Sequence, residues 1–274
     1  MRRQFITTLV LLLRSIISIG AANECTDGSA VKDLIGFTLD GERVSNTKLE
    51  AVRWRRFEGL LAERGVRSLV GIADCGRLRG LRATRDIAAG EEIFREAPTA
   101  LCLGEDDMAS TNAAECHEMI CQILEAGRTE ELAAAVDALV SFEHAFFSRD
   151  PDLIDELVTN AVPIVRRRLG RNVEERLVVQ AYCKHLLNSM TVQESTSMQT
   201  LGMGLYARHG ALLNHSTSPN CWTLFEPSSD APAWAAKAGP RSYTLVVRSC
   251  RAVSAGDELL IAYTDLAKPR AQLC

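Results

Sequence analysis

Between Asp106 and Met190 the chain is rich in Ala, Leu and Glu and reads as helix after helix, while the text on either side reads as short strands. This grouping constrains the fold more than any other feature. The helical block offers "TEELAAAVDALVSFEHAFF", "DPDLIDELVTNAVPIVRRRLG" and "NVEERLVVQAYCKHLLNSM", each of ordinary helix length with an Asp, Asn or Thr near its start. Upstream, "SLVGIA", "GLRAT" and "EEIFREA" are broken by Gly76, Gly80 and Gly90, the punctuation of strands and turns. Downstream of Leu201, "CWTLFE", "SYTLVVRSC" and "DELLIAYTD" read as strands between Pro- and Gly-bearing loops. The fold class that follows is α+β, with a helical insertion dividing two halves of a β structure.

Ahead of the first strands, "NTKLEAVRWRRFEGLLAERG" places Leu49, Val52, Phe57, Leu60 and Leu61 at helical spacing, a surface helix ended by Gly65. The first 23 residues combine Arg2 and Arg3 with apolar runs and no acid before Glu24, which is the pattern of a targeting or membrane-contact segment. A secretory signal and a mitochondrial presequence both fit, with an intracellular compartment favoured, and membrane contact is expected only through this segment. With 274 residues and a 47% hydrophobic fraction the remainder can bury a real core. A net charge of −4 speaks against direct nucleic-acid binding, which needs a basic surface.

Nine cysteines without a C-x-x-C pair do not form a disulfide framework. Cys116, His117 and Cys121 sit in "AAECHEMICQILEAG", where the spacing reads as the core stripe of an amphipathic helix rather than a metal site. No P-loop, G-x-S-x-G elbow or H-E-x-x-H is present. "GMGLYA", Gly202 to Ala207, matches G-x-G-x-x-A, but polar text precedes it and no helix follows, so a dinucleotide-binding oxidoreductase is only a distant alternative.

Three segments in order are more specific: "GRLRGLRATRDIAAGEEIF", "GLYARHGALLNHSTSPNC" and "GDELLIAYTD", with the helical block between the first two. Together they resemble the SET-domain protein-lysine methyltransferases, most closely the SMYD-like branch whose SET fold is split by a helical insert. The resemblance implies a SET domain at 66–265 with its insert at about 106–190, which leaves the targeting or contact segment at 1–23, a linker and N-terminal helix at 24–65, and a short tail at 266–274. It implies short β-sheets with a pseudoknot, in which the Asn-His-Ser segment crosses the final motif. It also implies methyl transfer from S-adenosylmethionine to lysine side chains of a protein substrate, histone or non-histone. The same fold could instead serve as a catalytically weak module that binds a protein partner.

Carried over residue by residue, the resemblance makes Tyr263 the active-site tyrosine and Tyr206 a second tyrosine lining the lysine channel or cofactor pocket. Asn214 and His215 match the residues that hold the cofactor. Asn188 matches an asparagine that reaches it from the end of the insert, though helix capping explains an Asn there equally well. Arg77, Arg79, Gly80 and Leu81 match the stretch at the cofactor's methionine end. Two departures stand out. Leu78 and Arg79 replace small residues where backbone approaches the ligand, and Thr217 stands where the family often has a zinc-binding cysteine. No C-x-C-x-x-C cluster and no MYND finger accompany the motifs, and "RWRRFEGLLAERG" is similar instead to the entry of the Rubisco-type methyltransferases. No zinc is therefore expected.

Overall fold

A computed structural model describes residues 69–74, 79–103, 113–139, 157–195, 197, 199–228 and 242–263. The anticipated N-terminal segment and helix lie outside them. Within them the order is β1 (Val70–Asp74), β2 (Arg79–Ala83), β3 (Glu92–Glu96), β4 (Ala100–Leu103), four α-helices, and then β5 to β10. The α+β reading holds.

The helices are α1 (Ala113–Ala126), α2 (Glu130–Ala138), α3 (Val162–Leu169, entered through a π-turn at Leu157–Ala161) and α4 (Glu175–Asn188). Thr129 caps α2 by accepting the Leu132 N–H, as its position before an apolar run suggests. Met119, Ile120 and Ile123 of α1 are buried, as are Val178, Ala181 and Cys183 of α4, and these two helices pack together. His117 and Cys121 lie in the same interior, where burial lowers the imidazole's proton affinity and pushes the thiol up to about 11. Gln122 fastens the insert to the sheets: its amide oxygen accepts the Leu101 N–H at 2.7 Å and its nitrogen donates to the Leu101 carbonyl at 3.0 Å. Both groups of this buried strand edge are thereby satisfied.

β5 (Met190–Gln193) and β6 (Thr200–Leu205) form an antiparallel pair, and β6 also pairs with β4. The polar text before Leu201, which gave no strand signal, thus supplies a sheet edge. A Cβ on Gly202 would lie 2.0 Å from the Cys102 carbonyl oxygen, and one on Gly204 would lie 2.8 Å from the Tyr206 ring. These glycines of the G-x-G-x-x-A match exist because strands and a ring pack against them, and a strand rather than a helix carries them.

A second sheet, in the order β3-β9-β8, contains β8 (Cys221–Ser228) and β9 (Ser242–Ser249). Its inner side buries Phe225, Leu245 and Val247, while Arg95, Glu92, Glu226 and Arg248 form an exposed ladder of ion pairs. Such exposed pairs contribute little to stability.

The last pairing positions the site. β10 (Leu260–Ile261) runs parallel to β7 (Asn214–His215), Leu260 opposite Asn214 and Ile261 opposite His215. On its other side the same segment bonds to β2: Gly256 N–H donates to the Ala83 carbonyl, Ala83 N–H to Asp257, and Leu259 N–H to Leu81, at 2.7–2.9 Å. Residues 256–263 therefore lie between two parts of the chain far apart in sequence, the crossing expected of the pseudoknot.

Candidate active site

Where β10 ends, the chain delivers Tyr263 to the rim of this crossing. Its phenol donates to the Leu213 carbonyl at 2.6 Å, its backbone N–H donates to Nδ1 of His215 at 3.0 Å, and its ring lies 5.3 Å from the His215 ring. Tyr263 is nonetheless 41% exposed. A hydroxyl oriented by a backbone carbonyl keeps its oxygen available as an acceptor. The apolar-to-polar step at Leu213-Asn214-His215 is thus explained: Leu213 is buried and serves through its carbonyl, while the next two side chains, half-buried, face the crossing.

Asn214 donates its side-chain amide to Glu258 at 2.7 Å, a charge-assisted bond across the parallel pair. Its side chain therefore helps hold the crossing together. His215 has a proton affinity lowered by burial, opposed by a hydrogen bond to the Ile261 carbonyl. That direction agrees with the geometry, because Nδ1 accepts the Tyr263 N–H only when it carries no proton.

Asn220, which the sequence shows only as part of the Ser-Pro-Asn turn, is the hub of the region. Its side-chain oxygen accepts the Leu260 N–H at 2.8 Å and its amide donates to the Glu258 carbonyl at 2.8 Å. Its backbone N–H also reaches the Leu260 carbonyl, and its own carbonyl accepts the Cys250 N–H. Buried to 6% exposure, it satisfies backbone groups of Glu258 and Leu260 at the edge of the crossing. Asn220→Ala is expected to cost about 2 kcal/mol, because it strands the Leu260 and Glu258 backbone groups. An unchanged urea midpoint would remove it from this role.

The other sequence candidates are placed as follows. Tyr206 is fully buried, with its hydroxyl on the Tyr243 carbonyl at 2.8 Å and its ring 5.9 Å from Phe225. Burial drives its phenol far above the ordinary range. In this structure its polar end is committed to β9 rather than to an open channel. Asn188 is the last residue of α4 and donates to the Lys184 carbonyl at 2.8 Å, as helix-end satisfaction requires. Leu81 is fully buried, and its carbonyl anchors Leu259. Gly80 is buried in β2 opposite Ala73, Arg79 stands opposite Asp74 in the backbone register of β1 and β2, and Arg77 lies outside the described residues. The structure thus brings Asn214, His215, Tyr263 and the backbone of Leu81 into one crossing.

Thr217 is exposed, Cys221 is buried with its thiol pushed up to about 12 and its Sγ on the Asn220 side chain, and the exposed Cys250 lies beside the Pro219 carbonyl. A cavity of about 220 Å³ lies elsewhere, among α1, α2 and α4 beside Ile123, Val136 and Arg171.

One pH prediction follows from the two histidines flanking this path. Burial lowers the folded-state proton affinity of His209 and His215 below the ordinary imidazole value near 6.5. Above that pH both are neutral in the folded and unfolded chain, and below it the unfolded chain binds protons first, so stability falls on acidification. The melting temperature should therefore be nearly level above about pH 7 and drop as pH is lowered through about 6.5 and below. His215→Gln, which cannot be protonated, should flatten part of the decline.

Comparison with known proteins follows the same outline. A family model described as the SET domain matches residues 78–264, from β2 through Tyr263. Over 87 residues the chain is 37% identical to the histone-lysine N-methyltransferase SMYD3 of Mus musculus, and 36% identical to the Homo sapiens protein of that name. Those matches cover 32% of this chain and 16% of the relatives' length. Among solved structures, the SET domain of LSMT bound to lysine and AdoHcy superposes with a TM-score of 0.48 at 16% identity, covering 81% of this chain and 56% of that one. Rubisco LSMT bound to AdoMet gives 0.45 at 17% identity, covering 81% and 55%.

Proposed function

The chain belongs to the SET-domain family, and from that premise we propose that it is an S-adenosylmethionine-dependent methyltransferase acting on lysine ε-amines of a protein. The observation that carries this reading is the Tyr263 hydroxyl, fixed on the Leu213 carbonyl beside a neutral His215 at the rim of the crossing. The residues present fit the cofactor by the chemistry of their donors: Asn214 and His215 offer a half-buried amide and an uncharged imidazole side by side, suited to a polar zwitterionic end. When bound, S-adenosylmethionine supplies a methyl group already activated by its sulfonium.

What remains for the protein is alignment, exclusion of water and receipt of an uncharged amine. The Tyr263 oxygen, with its proton directed at Leu213, is placed to accept an N–H of an incoming lysine and so turn the amine's lone pair toward the methyl donor. His215 fixes the Tyr263 backbone, and Glu258 fixes Asn214. Arg77, Arg79, Gly80 and Leu81 would border the methionine end, with Asn188 and Tyr206 supporting the pocket from behind. The substrate is a protein, histone or non-histone, and nucleic acid is not bound directly. Zinc plays no part, and an intracellular compartment is favoured.

Incubation with S-adenosylmethionine labelled on its methyl group and a mixture of proteins including histones tests the proposal. Label recovered on lysine after acid hydrolysis supports it. Cofactor binding without transfer would point to the catalytically weak module, and failure to bind would overturn the enzyme reading. A chelator should leave the melting temperature unchanged, since a structural zinc contributes folding free energy that its removal takes away. A clear drop would restore a zinc site.

A further inference from the structure

One buried acid stands outside everything assigned so far. Glu96 closes β3 and is 4% exposed, and among the described residues its carboxylate is met by backbone donors. It accepts three successive backbone N–H groups: Arg208 at 2.7 Å on one oxygen, and His209 and Gly210 at 2.9 Å each on the other. Burying a carboxylate is costly unless its lone pairs are met, and three backbone donors meet them.

The donors belong to the stretch that leads through a single 3-10 turn, Gly210–Leu212, into Leu213 and Asn214. Beside it, the Ala207 N–H donates to the Thr99 hydroxyl at 3.1 Å, which fixes the start of the same turn. Leu213 is the residue whose carbonyl receives the Tyr263 hydroxyl. Resting on the methyltransferase reading above, we infer that Glu96 is a positioning residue: by gripping the 208–210 turn it sets where the Leu213 carbonyl stands, and hence where the Tyr263 oxygen points. Displacements near 1 Å in such an alignment are enough to cost catalysis heavily.

Glu96→Gln tests this, because the amide keeps the shape but offers one accepting oxygen and turns an NH₂ toward backbone donors. The turnover number of the folded variant should fall by at least about tenfold, while the dissociation constant for S-adenosylmethionine changes by less than about threefold. Glu96→Asp, which keeps the charge with a shorter reach, should recover part of the loss, and it carries the test alone if the Gln variant does not fold. Glu226→Gln, in the exposed ladder, should leave turnover unchanged. A lower melting temperature with wild-type turnover in both Glu96 variants would overturn the inference and leave Glu96 purely structural. If the wild-type chain transfers no methyl group, the methyltransferase reading falls, and amide hydrogen exchange decides for Glu96. Faster exchange in the Gln variant at residues 214–216 and at Tyr263, with β8 and β9 unchanged, supports the coupling; unchanged exchange there overturns it.

Discussion

Gly202→Ala is expected to leave little folded protein at physiological temperature, with a loss of more than about 3 kcal/mol in stability, beyond the usual range for an overpacked methyl group. The added Cβ would meet the Cys102 carbonyl oxygen at 2.0 Å and the Leu103 Cα at 2.8 Å, and both are backbone atoms of the paired strand β4. A side-chain tip could swing aside, whereas a strand in register can move only by breaking its ladder. Thermal denaturation followed by circular dichroism measures the effect. A variant melting within a few degrees of wild type would show that β4 and β6 have room to part. The prediction also separates two readings of "GMGLYA", since a glycine kept for a nucleotide phosphate would tolerate alanine in stability and lose only ligand.

Much of the architecture was legible from local text. The runs "GLRAT", "EEIFREA" and "SYTLVVRSC" became β2, β3 and β9, and "NVEERLVVQAYCKHLLNSM" became α4, because side-chain period reports which surface is buried. The short apolar text of "DELLIAYTD" shrank to two paired residues, since its neighbours on each side are backbone edges rather than a sheet face. The motif residues Asn214, His215 and Tyr263 were readable, and their meeting followed from the resemblance. Asn220 and Glu96 were not. Each works through backbone groups distant in sequence, and nothing in "SPNC" or "REAP" distinguishes a hub from an ordinary turn or a surface charge. Tyr206 illustrates the converse: a tyrosine inside a motif looks functional, but whether its hydroxyl faces a pocket or a carbonyl depends on β9, far downstream.

Tyr263→Phe is the second large effect expected. It removes one oxygen, leaves the ring against His215, and frees the carbonyl of buried Leu213 beneath a Tyr263 that is itself 41% exposed, so that water can take the place of the hydroxyl. Stability should change by less than about 1 kcal/mol. Turnover should fall by about 100-fold or more, the scale seen when a preorganised polar group at a reacting centre is deleted. Cofactor affinity should be nearly unchanged, the mark of an interaction realised in the transition state. Single-turnover methyl transfer with calorimetry of cofactor binding separates the two. Equal losses in both would make Tyr263 part of the binding surface, and no loss in either would remove it from the mechanism.

The crossing that holds the site together also dictates when it can exist. Residues 256–263 bond on one edge to β2, across a separation of 174 residues between Arg82 and Gly256, and on the other to β7, across 44 residues between Asn214 and Glu258. A segment inserted between two such partners cannot nucleate locally, because the loops it closes must form before its hydrogen bonds reward them. Assembly is therefore a late event. On a translating ribosome, the sheets and the helical insert can form while Asn214 and His215 still lack their parallel partner and Tyr263 has not yet emerged. Such a chain would have most of its core and none of its active site, and refolding after dilution from denaturant should show burial of the core preceding recovery of methyl transfer.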